Sequence, residues 1–256
     1  PLSDVLYLSE SLQGFFGFDQ VQLQAVSEVG FLGDIEFAVE NELYINTPRI
    51  VGNAGAGESV EVRSQTLRLQ SPDDAAVTED EFDQWIGTLA AGLTFSDREI
   101  RFSAEQLEVS SGNLSVQGYD TVRLNATGDL VFSGRGSFST AGGLSIAARR
   151  VMAAPSVREA EDGNLLVEAS RYTLNAGLVN IAAGSGSAAE PKPGGELSIL
   201  ADAIRHDGVI DTLAGRVRLV SRERVAAIDD AGIHLGEAAR IFAPGGFVRT
   251  DFEGET

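Results

Sequence analysis

Apolar and polar residues alternate with a period of two along most of the chain, while the 3.6-residue rhythm of an amphipathic helix is nearly absent. Short strands of about five residues follow from this rhythm. They include Val21–Ala25, Leu43–Asn46, Val60–Arg63, Ile100–Ala104, Val122–Ala126, Leu144–Ala148, Leu165–Ala169, Leu197–Ala201 and Val217–Ser221. Most share one cadence, apolar-polar-apolar-polar-small, and each is followed within a few residues by a Gly, Asn, Asp or charged turn. The pattern predicts an all-β chain.

Spacing says more than the strands do. Ile100 to Val122 is 22 residues, Val122 to Leu144 is 22, and Leu144 to Leu165 is 21. Leu165 to Leu197 is 32, but the Gly- and Pro-rich stretch 184–195 lies inside that interval, and Leu197 to Val217 is 20 again. Self-similarity at such a period marks a solenoid. Two further short strands fit between the main ones, such as Leu130–Ser133 and Ser137–Thr140 after Val122. Three strands per repeat describe one triangular coil of a right-handed parallel β-helix. About a dozen coils, stacked about 4.8 Å apart, give a rod on the order of 50 Å long. The rival is an antiparallel sandwich, against which stand the missing Asn-Gly hairpin signals and the steady register. The expected organisation is a single β-helix over 1–256, with coils at 1–70 and 93–256, one short helical insertion at 71–92 and a loop excursion at 184–195.

Composition narrows the function. The 256 residues carry 38 Asp and Glu against 19 Lys and Arg, a net charge of −19. Nucleic acid and anionic membrane are therefore repelled as main partners. Only one basic residue is a lysine, Lys192, for which nothing structural accounts. Apolar residues at 43% supply a core, and 29 glycines against 7 prolines suit a fold with many turns. Cysteine is absent, which removes disulfides, zinc–cysteine sites and thiol nucleophiles. No apolar run reaches the length that crosses a bilayer, so no membrane insertion is expected. Starting on Pro1, without a signal peptide, the chain reads as processed or excised.

Chemistry has few places to reside. In Ser71–Gly92, Thr78 and Glu81 form a capping box, and Phe82, Trp85, Ile86 and Leu89 fall at i, i+3, i+4 and i+7 on one helical face. The plainer reading is an insertion packed on the rod's flank; the sharper one is a partner-docking helix built on those four residues. Arg205, His206 and Asp207, with Asp202, Asp211, His234 and the pair Asp229–Asp230, form the densest polar cluster and are candidates for acid–base chemistry. The favoured alternative makes them exposed turn residues, because Ile204, Val209 and Ile210 claim the inward positions. Asn113 and Asn125 begin N-x-Ser/Thr sequons that chance alone explains. Asn46, Asn125 and Asn175 follow similar strands, so they either stack as a ladder or, as favoured, cap turns. Nucleotide-binding, hydrolase-elbow, zinc-protease and calcium-repeat motifs are absent, and no cofactor, metal or enzymatic activity is expected.

Residues 194–221 give a more specific signal. Gly194–Ala201, Ala203–Asp211 and Ala214–Ser221 run in the order G-x-L-x-I-x-A, I-x-x-x-G-x-I and G-x-V-x-L-x-x, and Thr127–Leu130 and Ala141–Leu144 share the register. This resembles the degenerate repeat of filamentous-haemagglutinin-type exoproteins, convincingly over about half the chain (121–250) and more loosely over 16–70. The resemblance implies export by two-partner secretion through an outer-membrane pore and winding into a right-handed β-helical fibre at the cell surface. The expected role is a structural shaft or adhesive segment of a large secreted bacterial exoprotein, with a protein or glycan receptor on a host, bacterial or matrix surface as partner. The family's secretion domain and any toxin domain are not recognisable. The competing readings are a polysaccharide-processing β-helix enzyme and a self-assembling fibre subunit.

Overall fold

The structure, a computed structural model, describes residues 3–9, 17–52, 58–72, 97–159, 165–184, 194–212, 215–222, 231–243 and 247–253. Those residues form β-strands, turns and bends, with no α-helix among them. Every strand pairing but one is parallel, and the exception is a small hairpin. The antiparallel rival is thereby excluded.

The parallel pairings trace three faces, which the chain visits in turn. On the first, Ile35–Ala38 leads to the opening halves of Ser59–Gln70, Glu99–Val109, Thr121–Ser133 and Gly143–Ala154, then to Leu178–Ala183, Ala203–Asp207 and Gly232–Leu235. The second runs from the start of Gln20–Leu32 through Glu42–Asn46 and the closing halves of the same four long strands to Val209–Asp211 and Arg240–Phe242. The third comprises Ser3–Ser9, the end of Gln20–Leu32, Arg49–Gly52, Gly112–Gln117, Arg135–Thr140, Ser170–Asn175, Gly195–Ala201, Arg216–Arg222 and Phe247–Glu253. Each face therefore stacks eight or nine rungs. At about 4.8 Å per rung the described stack is about 35–40 Å long, shorter than a dozen coils require.

In-register stacking lays each inward side chain over its equivalent one coil away. On the first face Ile35, Val60, Ile100, Val122, Leu144, Val179, Ile204 and Ile233 form one column. On the second, Val21, Leu43, Leu67, Leu107, Leu130, Val151, Ile210 and Ile241 do the same. Most members of both columns are fully buried. Each fully buried aliphatic side chain contributes about 1.5–3 kcal/mol relative to exposure. Because each rung touches only its neighbours, that stabilisation is spread along the stack.

The register also shows where the repeat is broken, and it corrects the strand series read from spacing. Leu165–Glu168 pairs antiparallel with Ser156–Glu159 as a hairpin outside the three faces. The next rung of the first face after Leu144 is Val179, 35 residues on. Leu197 and Val217 lie on the third face, so the 20–22-residue series crosses from one face to another. Strands of every face share the same alternation, and spacing alone cannot tell them apart.

At two places a face skips a coil among the described residues. Between Ser59–Gln70 and Glu99–Val109 no described strand joins the third face, and Arg49–Gly52 pairs directly with Gly112–Gln117. Ser71, buried, donates its amide to Ser111 carbonyl oxygen at 3.2 Å to close that gap. Likewise no described strand of the coil begun by Leu178–Ala183 joins the second face, and Val151 pairs directly with Ile210. The helix expected at 71–92 falls almost wholly on residues outside those described.

Candidate functional site

Phe82, Trp85, Ile86 and Leu89 lie outside the described residues, as do Asp229 and Asp230. The remaining polar cluster does not sit as the sequence implied. Ile204 and Ile210 are inward as expected, and Val209 is half-buried. His206, however, is two residues beyond Ile204 and so shares its side of the strand; only 1% of it is exposed. It occupies an otherwise apolar column: Phe37, Val62, Phe102, Leu124, Ile146, Ile181, His206 and Leu235. Asp202 and Asp211 are buried too, whereas Arg205, Asp207 and His234 are exposed. Reading these as exposed turn residues is thus corrected for three of them. Alternation, applied from Ile204 onward, already places His206 inside.

These buried groups have separate partners. Asp202 faces Arg222 at 2.9 Å between Oδ1 and Nε, and both side chains are less than one-tenth exposed. Arg222 also donates to the carbonyl oxygen of Ala176, and Ser221 Oγ donates to that of Asp202 at 3.0 Å. Asp211 lies 3.4 Å from Arg150, which also holds Asp129 at 2.8 Å; Arg149 pairs with Asp129 as well. Burial pushes the Asp129 carboxyl up, but the two guanidinium groups outweigh it and hold that carboxyl below the usual range. The missing second-face rung makes this cluster possible, since it brings Arg150 and Asp211 onto adjacent strands. The carboxylates are clasped by arginines, and among the described residues no three His, Asp or Glu come together as a metal site.

His206 Nε2 lies 3.3 Å from the carbonyl oxygen of Arg240 and donates to it, leaving Nδ1 as a lone pair with no hydrogen-bond partner among the described residues. Burial, the largest influence, lowers its affinity for a proton, and the Arg240 carbonyl and Asp207 only partly restore it.

The strand cadence foreshadows a second feature without naming it. Its small fifth position stacks as Ser64, Ala104, Ala126, Ala148 and Ala183 at the corner between the first and second faces. Small side chains leave that corner hollow, and a groove of about 560 Å³ opens there, rimmed by Arg63, Ser103, Asn125 and Thr127. Asn46, Asn125 and Asn175 stand on three different faces, so they form no common ladder. Asn113 accepts from Ser137 Oγ at 2.9 Å.

On the third face Tyr172 lies in register with Gly136, which in turn pairs with Gly112. A Cβ at Gly136 collides with the Gly112 carbonyl oxygen, while Gly112 itself adopts φ of 99°. The fully buried tyrosine packs its ring 5.1 Å from that of Phe132 and donates to Ser137 carbonyl oxygen at 3.2 Å.

Comparison with protein-family models, with curated proteins and with solved structures finds no match for this chain. What the geometry defines is a class, a parallel-stranded, three-faced β-solenoid.

Proposed function

We propose that the chain is a structural shaft or adhesive segment of a large secreted, cell-surface bacterial exoprotein of the filamentous-haemagglutinin type, wound as a right-handed parallel β-helix. One observation carries the reading: the aliphatic columns run through all the rungs of the first and second faces, so stability is distributed along an axis. Such an object resists axial load and displays long flat faces. The repeat at 194–221 supports the family, and the strong preference of parallel crossovers for one hand supports the right-handed winding. In this reading an outer-membrane pore exports the parent chain, and the receptor is a protein or glycan on a host, bacterial or matrix surface.

The groove at the small-residue corner suits the adhesive role. Its rim offers a guanidinium, an amide and two hydroxyls, which hydrogen-bond a neutral glycan without needing a catalytic group. A polysaccharide-cleaving reading needs converging carboxylates, and none is among the residues that line this groove. The test is protease shaving of intact cells that express the full-length protein. Release of fragments from this segment is expected; complete protection until lysis would overturn the surface assignment.

A further inference from the structure

We propose that His206 is an acid-sensitive latch on the coil formed by Gly232–Leu235 and Arg240–Phe242: protonation at Nδ1 loosens that coil while the coils before it stay wound.

The argument starts from where the imidazole sits. It fills an inward position between Ile181 and Leu235, in a column that is otherwise entirely apolar. From there the ring holds the next coil once, and the backbone of the same residue holds it a second time. Its Nε2 donates to the carbonyl oxygen of Arg240, and its own carbonyl oxygen accepts from the amide of Gly236 at 2.8 Å. The first falls on the opening residue of Arg240–Phe242 and the second on the turn that carries the chain to it from the first face. Asp207 Oδ1 adds a third by accepting from the Ala238 amide at 2.9 Å. The turn is otherwise exposed, so these contacts fasten it to the coil below.

Donation from Nε2 fixes the neutral tautomer and leaves Nδ1 as a bare lone pair. A second proton there creates a buried N–H with no acceptor among the described residues and a charge in an apolar column. The surrounding charges do not offset this. Leu178–Ala183 carries no titratable side chain. On its own strand Arg205 and Asp207 point outward, and on the strand above His234 is exposed. The turn contributes Glu237 and Arg240, both exposed. Arg216 and Arg218 lie on outward positions of the neighbouring third-face strand, Arg222 is committed to Asp202, and Asp211 to Arg150.

The direction follows from linkage. The folded protein binds this proton less readily than the unfolded chain, whose histidines titrate near pH 6.5. No cost exists well above that pH, and the coil loses stability as the pH falls through and below it. The chain has only two histidines, so the side-chain type that ordinarily changes charge between pH 5 and 8 is scarce in it.

The experiment is amide hydrogen exchange of the intact chain at pH 7.5, 6.5 and 5.5, corrected for intrinsic exchange. Protection of residues 232–241 is expected to fall with acid, approaching a limit of about tenfold per pH unit for one proton, while residues 99–132 are unchanged. His206→Leu, which suits the aliphatic column, should flatten that response, and His234→Gln should retain it. A flat wild-type response, or an acid response that survives in His206→Leu, overturns the proposal. If His206→Leu does not fold, direct titration of the His206 ring in the wild-type chain decides. A value below 6.5 supports the latch, and one at or above 6.5 overturns it.

Discussion

The coils spanning Glu99–Ala154 and those spanning Ser170–Arg222 share one winding but are filled differently. In the first group successive first-face rungs are 22 residues apart, and the inward columns of the first and second faces are apolar, while its nearly buried charges Asp129, Arg149 and Arg150 gather where the neighbouring rung is missing. Ion pairs such as Arg101–Glu99 and Arg123–Glu99, both 2.6 Å, stay on the outside. In the second group a rung is missing, and His206, Asp202, Arg222 and Asp211 lie inside or at the closed corner. Stacking identical coils satisfies the backbone by itself, so the interior needs only bulk. In the second group buried side chains also meet backbone groups, as Arg222 does in donating to the carbonyl oxygen of Ala176. Around Arg150 and Asp211, polar burial follows the missing rung.

The contrast can be attacked first in the regular coils. Phe102 is fully buried between Val62 and Leu124, so Phe102→Ala should cost about 3–5 kcal/mol in urea unfolding. A loss under 1 kcal/mol would mean the column is not a packed core. In the interrupted coils, Arg222→Met strips Asp202 of its cation and Ala176 of a donor, with an expected cost of about 3–5 kcal/mol. Adding Asp202→Asn should return part of it, and a double variant no better than the single would show that the pair is not the unit. Gly136→Ala drives a methyl into the Gly112 carbonyl, and about 1–3 kcal/mol is expected from the same measurement. The outer pairs should matter least. Arg68–Glu108 is 3.0 Å long but 46% and 30% exposed, so Arg68→Ala should cost under about 1 kcal/mol, shrinking further in high salt.

The sequence conveyed the periodicity well and the bookkeeping of faces poorly. Ile100, Val122 and Leu144 are stacked as their spacing implied, and Leu130–Ser133 and Ser137–Thr140 are the two further strands of that coil. Leu165 kept the cadence yet belongs to a hairpin, because alternation reports that a strand has two sides without naming its neighbour. For His206 polarity and position point opposite ways: a histidine suggests the surface, but its place two residues from Ile204 sets it inside by alternation alone. The groove was spelled out in the small fifth residue of each strand, but its hollow arises only when Ser64, Ala104 and Ala126 come into register.

Cysteine cross-linking tests the winding most directly, since the chain has no cysteine of its own. Parallel register places Arg101 beside Arg123 and Ser103 beside Asn125, with all four on the outward side. At the spacing of adjacent strands, about 4.8 Å, a disulfide forms readily. The account predicts rapid oxidation in Arg101→Cys/Arg123→Cys and in Ser103→Cys/Asn125→Cys, with little in the crossed pairs Arg101→Cys/Asn125→Cys and Ser103→Cys/Arg123→Cys. Efficient cross-linking of the crossed pairs instead would mean that these strands run antiparallel, and the solenoid would be wrong.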